Sequence, residues 1–235
     1  AYDHNARKLW IVNVHDPKVA GYHLELFLDM AWDINCVNES SIETHYLRWL
    51  CRQFGDEAGK LLFPAMKEYY KLCAQRRPEF MGWTQVELDK KKYNRGLSPI
   101  QDTEFSIHEI SEYLGRYASI SATVKKVEDI IPARLKDAYF AAILYPVLAA
   151  DAHARKLLLA QKARQTGDAV AAEQSLEAYK EIKTLTERYN NDLAGGKWRN
   201  LMSMNPRNLP VFGMPDTAYV HDSVNVSVVT DEYEY

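Results

Sequence analysis

Two stretches of the chain gather polar side chains in patterns that chemistry could use. In residues 10–16 (WIVNVHD) an apolar run delivers Asn13, His15 and Asp16 to its C-terminal end. In a (β/α)₈ barrel, that end of a strand is where catalytic and ligand-binding groups emerge. Residues 195–212 (GGKWRNLMSMNPRNLPVF) are dense in Asn, Arg and Trp between Gly and Pro turns. A loop so equipped suits a ligand or a neighbouring surface better than a plain connection, and Lys197, Trp198 and Arg207 are its candidate contacts. Other groupings read more plainly. His4, His15, Asp16 and His23 fit neither an i,i+4 pair nor a zinc template, so no metal site is expected. His108 and Glu112 share a helix face as a solvated pair, and Lys90–Lys92 beside Tyr93 is a charge run of the kind usually solvated. There is no glycine-rich phosphate loop or nucleophile elbow, and no cofactor is expected.

The elements that would position these groups are mostly helical. Residues 8–14 (KLWIVNV) carry a strand signal that stops at Pro17, which has no N–H for a ladder. Leu24, Phe27, Leu28 and Ala31 then fall on one helical face. Ser40-Ser41-Ile42-Glu43 matches a capping box for a helix carrying Tyr46, Leu47, Leu50 and Phe54, with Gly55 placed to end it. A third helix is expected from about residue 56 to 76, kinked by Pro64. Residues 77–104 read as a long connection. Ser106-Ile107-His108-Glu109 is a second capping box, opening a helix with heptad-like spacing from Ile107 to Ile131 and polar lapses at Ser121 and Glu128. An Ala/Leu-rich helix follows from 133 to 165, interrupted by Pro146. A turn at Thr166-Gly167-Asp168, with Asp168 as N-cap, leads to a last helix whose face is Leu176, Tyr179, Ile182, Lys183, Leu185 and Tyr189. This is an antiparallel bundle of about five long helices, with one N-terminal strand and an extended C-terminal tail.

Composition narrows the function classes. The chain has 235 residues, 29 Lys+Arg against 32 Asp+Glu, and a net charge of −3, which argues against gripping nucleic acid or an anionic membrane by bulk charge. No apolar stretch reaches the roughly 18 residues a membrane span needs. The charge is uneven: residues 216–235 hold five acids and no Lys or Arg, leaving +2 on the rest. Cys36, Cys51 and Cys73 lack CxxC spacing and read as free, mostly buried thiols.

The two polar stretches and the segments around them resemble glycoside hydrolase family 115, the xylan α-1,2-glucuronidases. Trp10–Asp16, Lys18 and the Phe27-Leu28-Asp29-Met30-Ala31-Trp32 helix are similar to the family's pattern at the end of its barrel. Leu144-Tyr145-Pro146-Val147, Tyr189-Asn190, Gly195-Gly196-Lys197-Trp198 and Met202 are similar to its helical domain. His15 stands where the pattern has Gly, Pro17 where it has Ile or Leu, and Val19 where it has Pro. The resemblance implies a piece of a longer enzyme. Residues 1–35 would be the terminal strand and helix of a (β/α)₈ barrel, 36–212 a helical-bundle domain, and 213–235 a linker or first strand of a following β domain. It implies removal of α-1,2-linked (4-O-methyl)glucuronic acid from xylan, with Asn13, Asp16 and Lys18 as substrate-binding residues; the loop contacts Lys197, Trp198 and Arg207 rest on the loop's composition alone. No catalytic carboxylate pair can be assigned, so the chain alone is expected to be catalytically incomplete. Expected partners are glucuronoxylan or its oligosaccharides and the remaining domains of the parent enzyme. A homodimer is open, and neither nucleic acid nor membrane is expected. The resemblance favours a periplasmic or secreted setting in a polysaccharide-degrading bacterium. The rival reading is a non-catalytic carbohydrate-binding or assembly module built on a helical bundle.

Overall fold

The computed structural model describes residues 1–82 and 100–219. Six long helices account for most of them: α1 (Gly21–Trp32), α2 (Ile42–Phe54), α3 (Asp56–Gln75), α4 (Ile107–Glu128), α5 (Tyr145–Thr166) and α6 (Ala169–Glu187). Helices α2 to α6 form the bundle, each packed on the next in chain order, and α5 and α6 make the most extensive pair. Its core is rich in aromatic rings, with Tyr117, Tyr139, Phe140 and Tyr189 almost wholly buried beside Leu50, Leu62, Leu72 and Val124.

Several joints are where local chemistry puts them. Gly55, at φ 94°, ends α2 and leads directly into α3, a backbone state in which glycine has no Cβ to clash. Ser106 accepts from the Glu109 N–H while the Glu109 carboxylate accepts from the Ser106 N–H, closing the capping box of α4. Ser106→Ala should therefore cost about 1 kcal/mol, read as a lower denaturation midpoint at unchanged slope. Asp168 caps α6 by accepting from the Ala171 N–H at 3.0 Å. Pro146 has no N–H for the preceding turn, and the chain accommodates it with a π turn at Phe140–Leu144, just before α5.

The polar lapses in the α4 pattern are satisfied across the bundle. Ser121 donates to Asp151 on α5 at 2.8 Å, and Arg155 joins Asp151 at 3.1 Å and Glu181 on α6. Glu128 pairs with Arg188 at 3.3 Å. Buried charge that is paired and hydrogen-bonded in this way is tolerated, and here it also fixes the register of three helices.

Four expectations are corrected. Residues 8–14 form no strand, and no ladder is present among the described residues, because an extended segment becomes a strand only beside a partner. Ser40 and Glu43 do not form a capping box. Asn38 takes over, its Oδ1 accepting from Ser40 N–H at 2.9 Å and Ser41 N–H at 3.1 Å, while Glu43 pairs with Lys67. On α6 the buried strip is Ala171, Ser175, Ala178, Leu185 and Thr186, whereas Leu176 is exposed. Small residues let α6 approach α5 closely enough for Ser175 Oγ to donate to the Lys156 carbonyl at 2.5 Å. Cys36 is exposed, and Cys51 and Cys73 are only partly buried. Lys90–Lys92, Tyr93 and residues 220–235 of the expected extended tail lie outside the described residues.

Helix α1 sits outside this order. Tyr22 is its one buried residue; Phe27 is half-buried, and Leu28 and Trp32 are exposed, so much of its predicted apolar face is uncovered. Beyond the Tyr22 ring, which packs on Tyr46 and Trp49, it is held to α2 by polar links. Glu25 pairs with Arg52, and His45 bridges Asp29 (3.1 Å) and the Tyr22 hydroxyl (3.2 Å).

Candidate functional site

Asn13, Asp16 and Lys18 lie on the loop that enters α1. Asn13 is exposed, and its side-chain oxygen accepts from the His15 N–H at 3.0 Å, a local turn that Asn favours. His15 takes φ 56°, in the left-handed region that costs a Cβ-bearing residue and that glycine enters freely. Its ring meets the Asp16 carboxylate at 3.0 Å, and the Asp16 carbonyl accepts from the Val19 N–H. This tight turn brings Lys18 inward to the bundle.

Lys18 is where the two sequence-predicted stretches meet. Its Nζ lies 5.3 Å from the centre of the Trp198 ring, and Lys197 Nζ lies 5.1 Å from the same ring. Two ammonium groups thus share one indole, an arrangement in which the ring's negative face attracts each cation. Burial holds the Lys18 pKa below the ordinary lysine value, Lys197 adds to this, and Asp137 opposes it. Lys197 is exposed and Trp198 half-buried. Arg207 lies in a short 3₁₀ turn (Pro206–Asn208), and its side chain is outside what the structure describes.

The loop bearing Trp198 is tied down at both ends. Asp137 accepts from the Ala194 N–H at 3.0 Å. Asn190 donates to the Met202 carbonyl at 2.8 Å and accepts from its N–H at 3.0 Å. Left-handed backbone at Ala194, Gly195 and Gly196 makes the corner between α6 and the loop.

Lys18 also stands at the edge of a cleft of about 370 Å³ between the α1 entry, α2, α3 and the π turn. Its floor and walls include Tyr22, Tyr46, Trp49, Tyr70 and Tyr145, with His23 and Met202 beside them. The rings are mutually braced: Tyr22 and Tyr46 have centroids 4.4 Å apart, and His23 stands edge-on to Tyr70 at 5.5 Å. The Tyr46 and Tyr70 rings meet edge-on, with centroids 5.6 Å apart. Burial raises both their pKa values and pushes Tyr22 up to about 12, so these phenols stay protonated and donate. An apolar, ring-lined cleft with a few donors and one cation at its edge suits a hydroxylated ligand carrying an anionic group.

Sequence reading missed the cleft and a buried pair below it, His153 and Lys156. The one available signal was in α5, whose apolar residues run round the whole helix, the mark of a segment buried on all sides. Among the described residues no group of three His, Cys, Asp or Glu could hold a metal ion, and no helix is long and apolar enough to cross a membrane.

Comparison with known proteins bears on the same segments. The family model described as glycosyl hydrolase family 115 matches residues 1–80. A solved structure, described as a novel family 115 4-O-methyl-α-glucuronidase with specificity for decorated arabinogalactans, is 39% identical with a TM-score of 0.82. The match covers 94% of this chain and 29% of that one, so the chain spans less than a third of that protein's length. No curated protein matches the chain.

Proposed function

Because the chain belongs to glycosyl hydrolase family 115, we propose that it forms part of a glycoside hydrolase that removes α-linked (4-O-methyl)glucuronic acid from xylan. The observation that carries this reading is the 39% identity to a 4-O-methyl-α-glucuronidase along 94% of the chain. Residues 1–35 are then the last strand and helix of the catalytic barrel, 36–212 the bundle that supports it, and 213–235 the entry to a following β domain. Asn13, Asp16 and Lys18 contact the uronic acid, with Lys18 facing its carboxylate. Lys197, Trp198 and Arg207 reach the same ligand from the bundle side.

The exposed apolar surface supports the domain reading. Leu9 is 78% exposed, Ile11 90% and Trp32 94%, and Val12 and Leu28 extend the same N-terminal region. Apolar surface gathered at one end of a molecule marks an interface, and further domains of the parent enzyme are its partner here. Residues 8–14 become a strand when that neighbour supplies the missing ladder. A second substrate, decorated arabinogalactan, is favoured by the description of the solved relative.

The test compares the isolated chain with the same chain carried in a protein of the relative's full length. The chain alone should release no 4-O-methylglucuronic acid from glucuronoxylan, whereas the longer protein should. In the longer protein Lys18→Met should raise KM by about ten- to a hundredfold, the value of a lost charge-assisted hydrogen bond, with a smaller effect on kcat. Equal turnover by the isolated chain would overturn the reading, and an unchanged KM would remove Lys18 from the site. Parallel assays on glucuronoxylan and on glucuronic acid-capped arabinogalactan decide between the two substrates.

A further inference from the structure

Helix α6 does not end at its last α turn. It continues into a π turn at Arg188–Asp192, which packs against the π turn at Phe140–Leu144. The contact is ring to ring: Tyr189, fully buried, has its ring centre 4.8 Å from that of Tyr145 and 6.2 Å from that of Phe140. The Arg188 guanidinium covers the Phe140 ring at 3.9 Å. A π turn holds one residue more than an α turn, so it re-aims the side chains within and after it, and such turns are frequent at functional sites. Here it aims Asn190 at the loop that follows.

Asn190 makes both of the hydrogen bonds that a backbone partner would make with Met202, donating to its carbonyl at 2.8 Å and accepting from its N–H at 3.0 Å. The pair closes a loop over residues 190–202, with Trp198 inside it. That loop needs holding. Ala194 has φ 51° and Asn200 φ 66°, left-handed values on either side of Trp198. Asn tolerates that region through its own side chain, whereas alanine stays there only where its surroundings fix it. Asp137 fixes Ala194 by accepting from its N–H at 3.0 Å, and Asn190 fixes the far end. The closed loop presents Trp198, whose ring centre lies 5.3 Å from Lys18 Nζ, and Met202, which lines the Lys18 cleft. Asn190 is not among the residues lining that cleft.

We propose that Asn190 is a positioning residue for this site: through the Met202 backbone it holds the 190–202 loop closed and keeps Trp198 against Lys18, without touching the ligand. A primary amide suits the task because it carries a donor and an acceptor side by side, matching the two halves of a peptide residue. Apolar packing is the competing anchor, since Trp198, Leu201 and Met202 also pack against the core. The two anchors respond differently to chemistry at position 190. Packing is indifferent to the donor and acceptor there, whereas the clamp needs both. That Trp198 serves a uronic acid rests on the function proposed above; that Asn190 places Trp198 does not.

The test is a double-mutant cycle in the full chain labelled with 5-fluorotryptophan, read on the ¹⁹F resonance that Trp198→Phe removes. In the wild type, Lys18→Met should move that resonance, because a cation leaves the ring. After Asn190→Ala the same Lys18→Met should move it by about half as much or less. Asn190→Asp adds a readout that packing cannot imitate. At pH 7.5 the carboxylate accepts from the Met202 N–H but sets a second oxygen against the Met202 carbonyl, so Trp198 should be displaced. Once protonated, the carboxyl again offers one donor and one acceptor. The resonance should therefore return toward that of the wild type as the pH falls to about 4, while Asn190→Ala stays displaced. In the longer protein Asn190→Ala should raise KM by about three- to thirtyfold, the worth of one ring contact, with kcat nearly unchanged. An undiminished Lys18→Met effect after Asn190→Ala would overturn the proposal, packing then being the anchor. So would an Asn190→Asp variant that does not recover at low pH, or an unchanged KM beside a displaced Trp198. A longer protein without glucuronidase activity would defeat the proposed function instead, and the ¹⁹F cycle would still decide the role of Asn190. Should Asn190→Ala fail to fold, the pH reversal of Asn190→Asp carries the decision alone.

Discussion

Gly59→Ala should be among the most damaging single-methyl substitutions in this chain. Helices α2 and α3 turn back on each other through the single residue Gly55, and Gly59 lies one turn into α3. A Cβ at Gly59 would fall 2.6 Å from the Cys51 backbone nitrogen and 2.7 Å from both its Cα and its Sγ. Side-chain atoms can swing aside, but the Cys51 backbone is locked in the hydrogen bonds of α2. The two helices would have to separate, loosening the aromatic cluster of Tyr46, Trp49 and Phe54 that they hold. Overpacking of this kind costs about 3 kcal/mol or more, equivalent to roughly 6–12 °C in melting temperature for a domain of this size. Gly115, exposed within α4, is the internal control, because a Cβ there would meet nothing within 4 Å. Gly115→Ala removes backbone freedom from the unfolded chain at no steric expense, and should stabilise by about 0.5–1 kcal/mol. Thermal melts of the two variants should move in opposite directions. Equal shifts would mean that the α2–α3 contact is not what Gly59 serves.

What is legible in the sequence divides along the range of the interactions. Gly55, Ser106–Glu109 and Asp168 are readable because their chemistry closes within four residues, and such motifs carry their own partners. Helices α3 and α4 are readable from apolar spacing, since their large residues do face the core. The failures begin where the partner is remote. Asn38 displaces the Ser40 cap because its amide reaches two N–H groups from outside the predicted box. On α6 side-chain size points to Leu176, whereas the helix packs through Ala171, Ser175 and Ala178 against a neighbour that sequence cannot place. Residues 8–14 and the face of α1 have the patterns of a strand and a buried helix, and those patterns are sound; the described residues contain nothing to cover them. At the site, Lys18 and Trp198 each stand out in the sequence, yet only the fold brings them within 5.3 Å across 180 positions. Lys156 is unreadable as a buried residue because its partners, Val211 and Gly213, lie more than 50 residues away.

Lys156 should also make this chain most stable at mildly alkaline pH, and Lys156→Met should abolish that preference. Burial pushes its pKa down to about 7, from an ordinary value of 10.5. Between these two values the unfolded chain binds a proton that the folded chain does not, so stability rises with pH across that interval. Below pH 7 both states carry the charge and the folded state bears the full desolvation cost, on the order of a few kcal/mol. His153 acts in the same direction lower down: with its folded pKa near 3 against 6.5, stability falls as pH drops from 6.5 to 3. The opposite limb comes from the phenols. Burial raises Tyr22 and Tyr113 to about 12 from 10.0, so unfolded tyrosines ionise first and stability declines above pH 10. The maximum should therefore lie at about pH 9–10, above the more usual pH 5–8. Deprotonation does not release the loop, because a neutral amine still has two N–H groups, enough for the Val211 and Gly213 carbonyls. Lys156→Met removes the buried charge but strands both carbonyls, at about 1–3 kcal/mol each. Near pH 6 the two effects oppose and the variant should approach the wild type, whereas near pH 9 only the stranded carbonyls remain and it should be clearly weaker. Guanidinium unfolding at pH 6, 7.5 and 9 reads this directly. A wild-type midpoint that stays level or falls across that range would show that Lys156 is not an uncompensated buried cation.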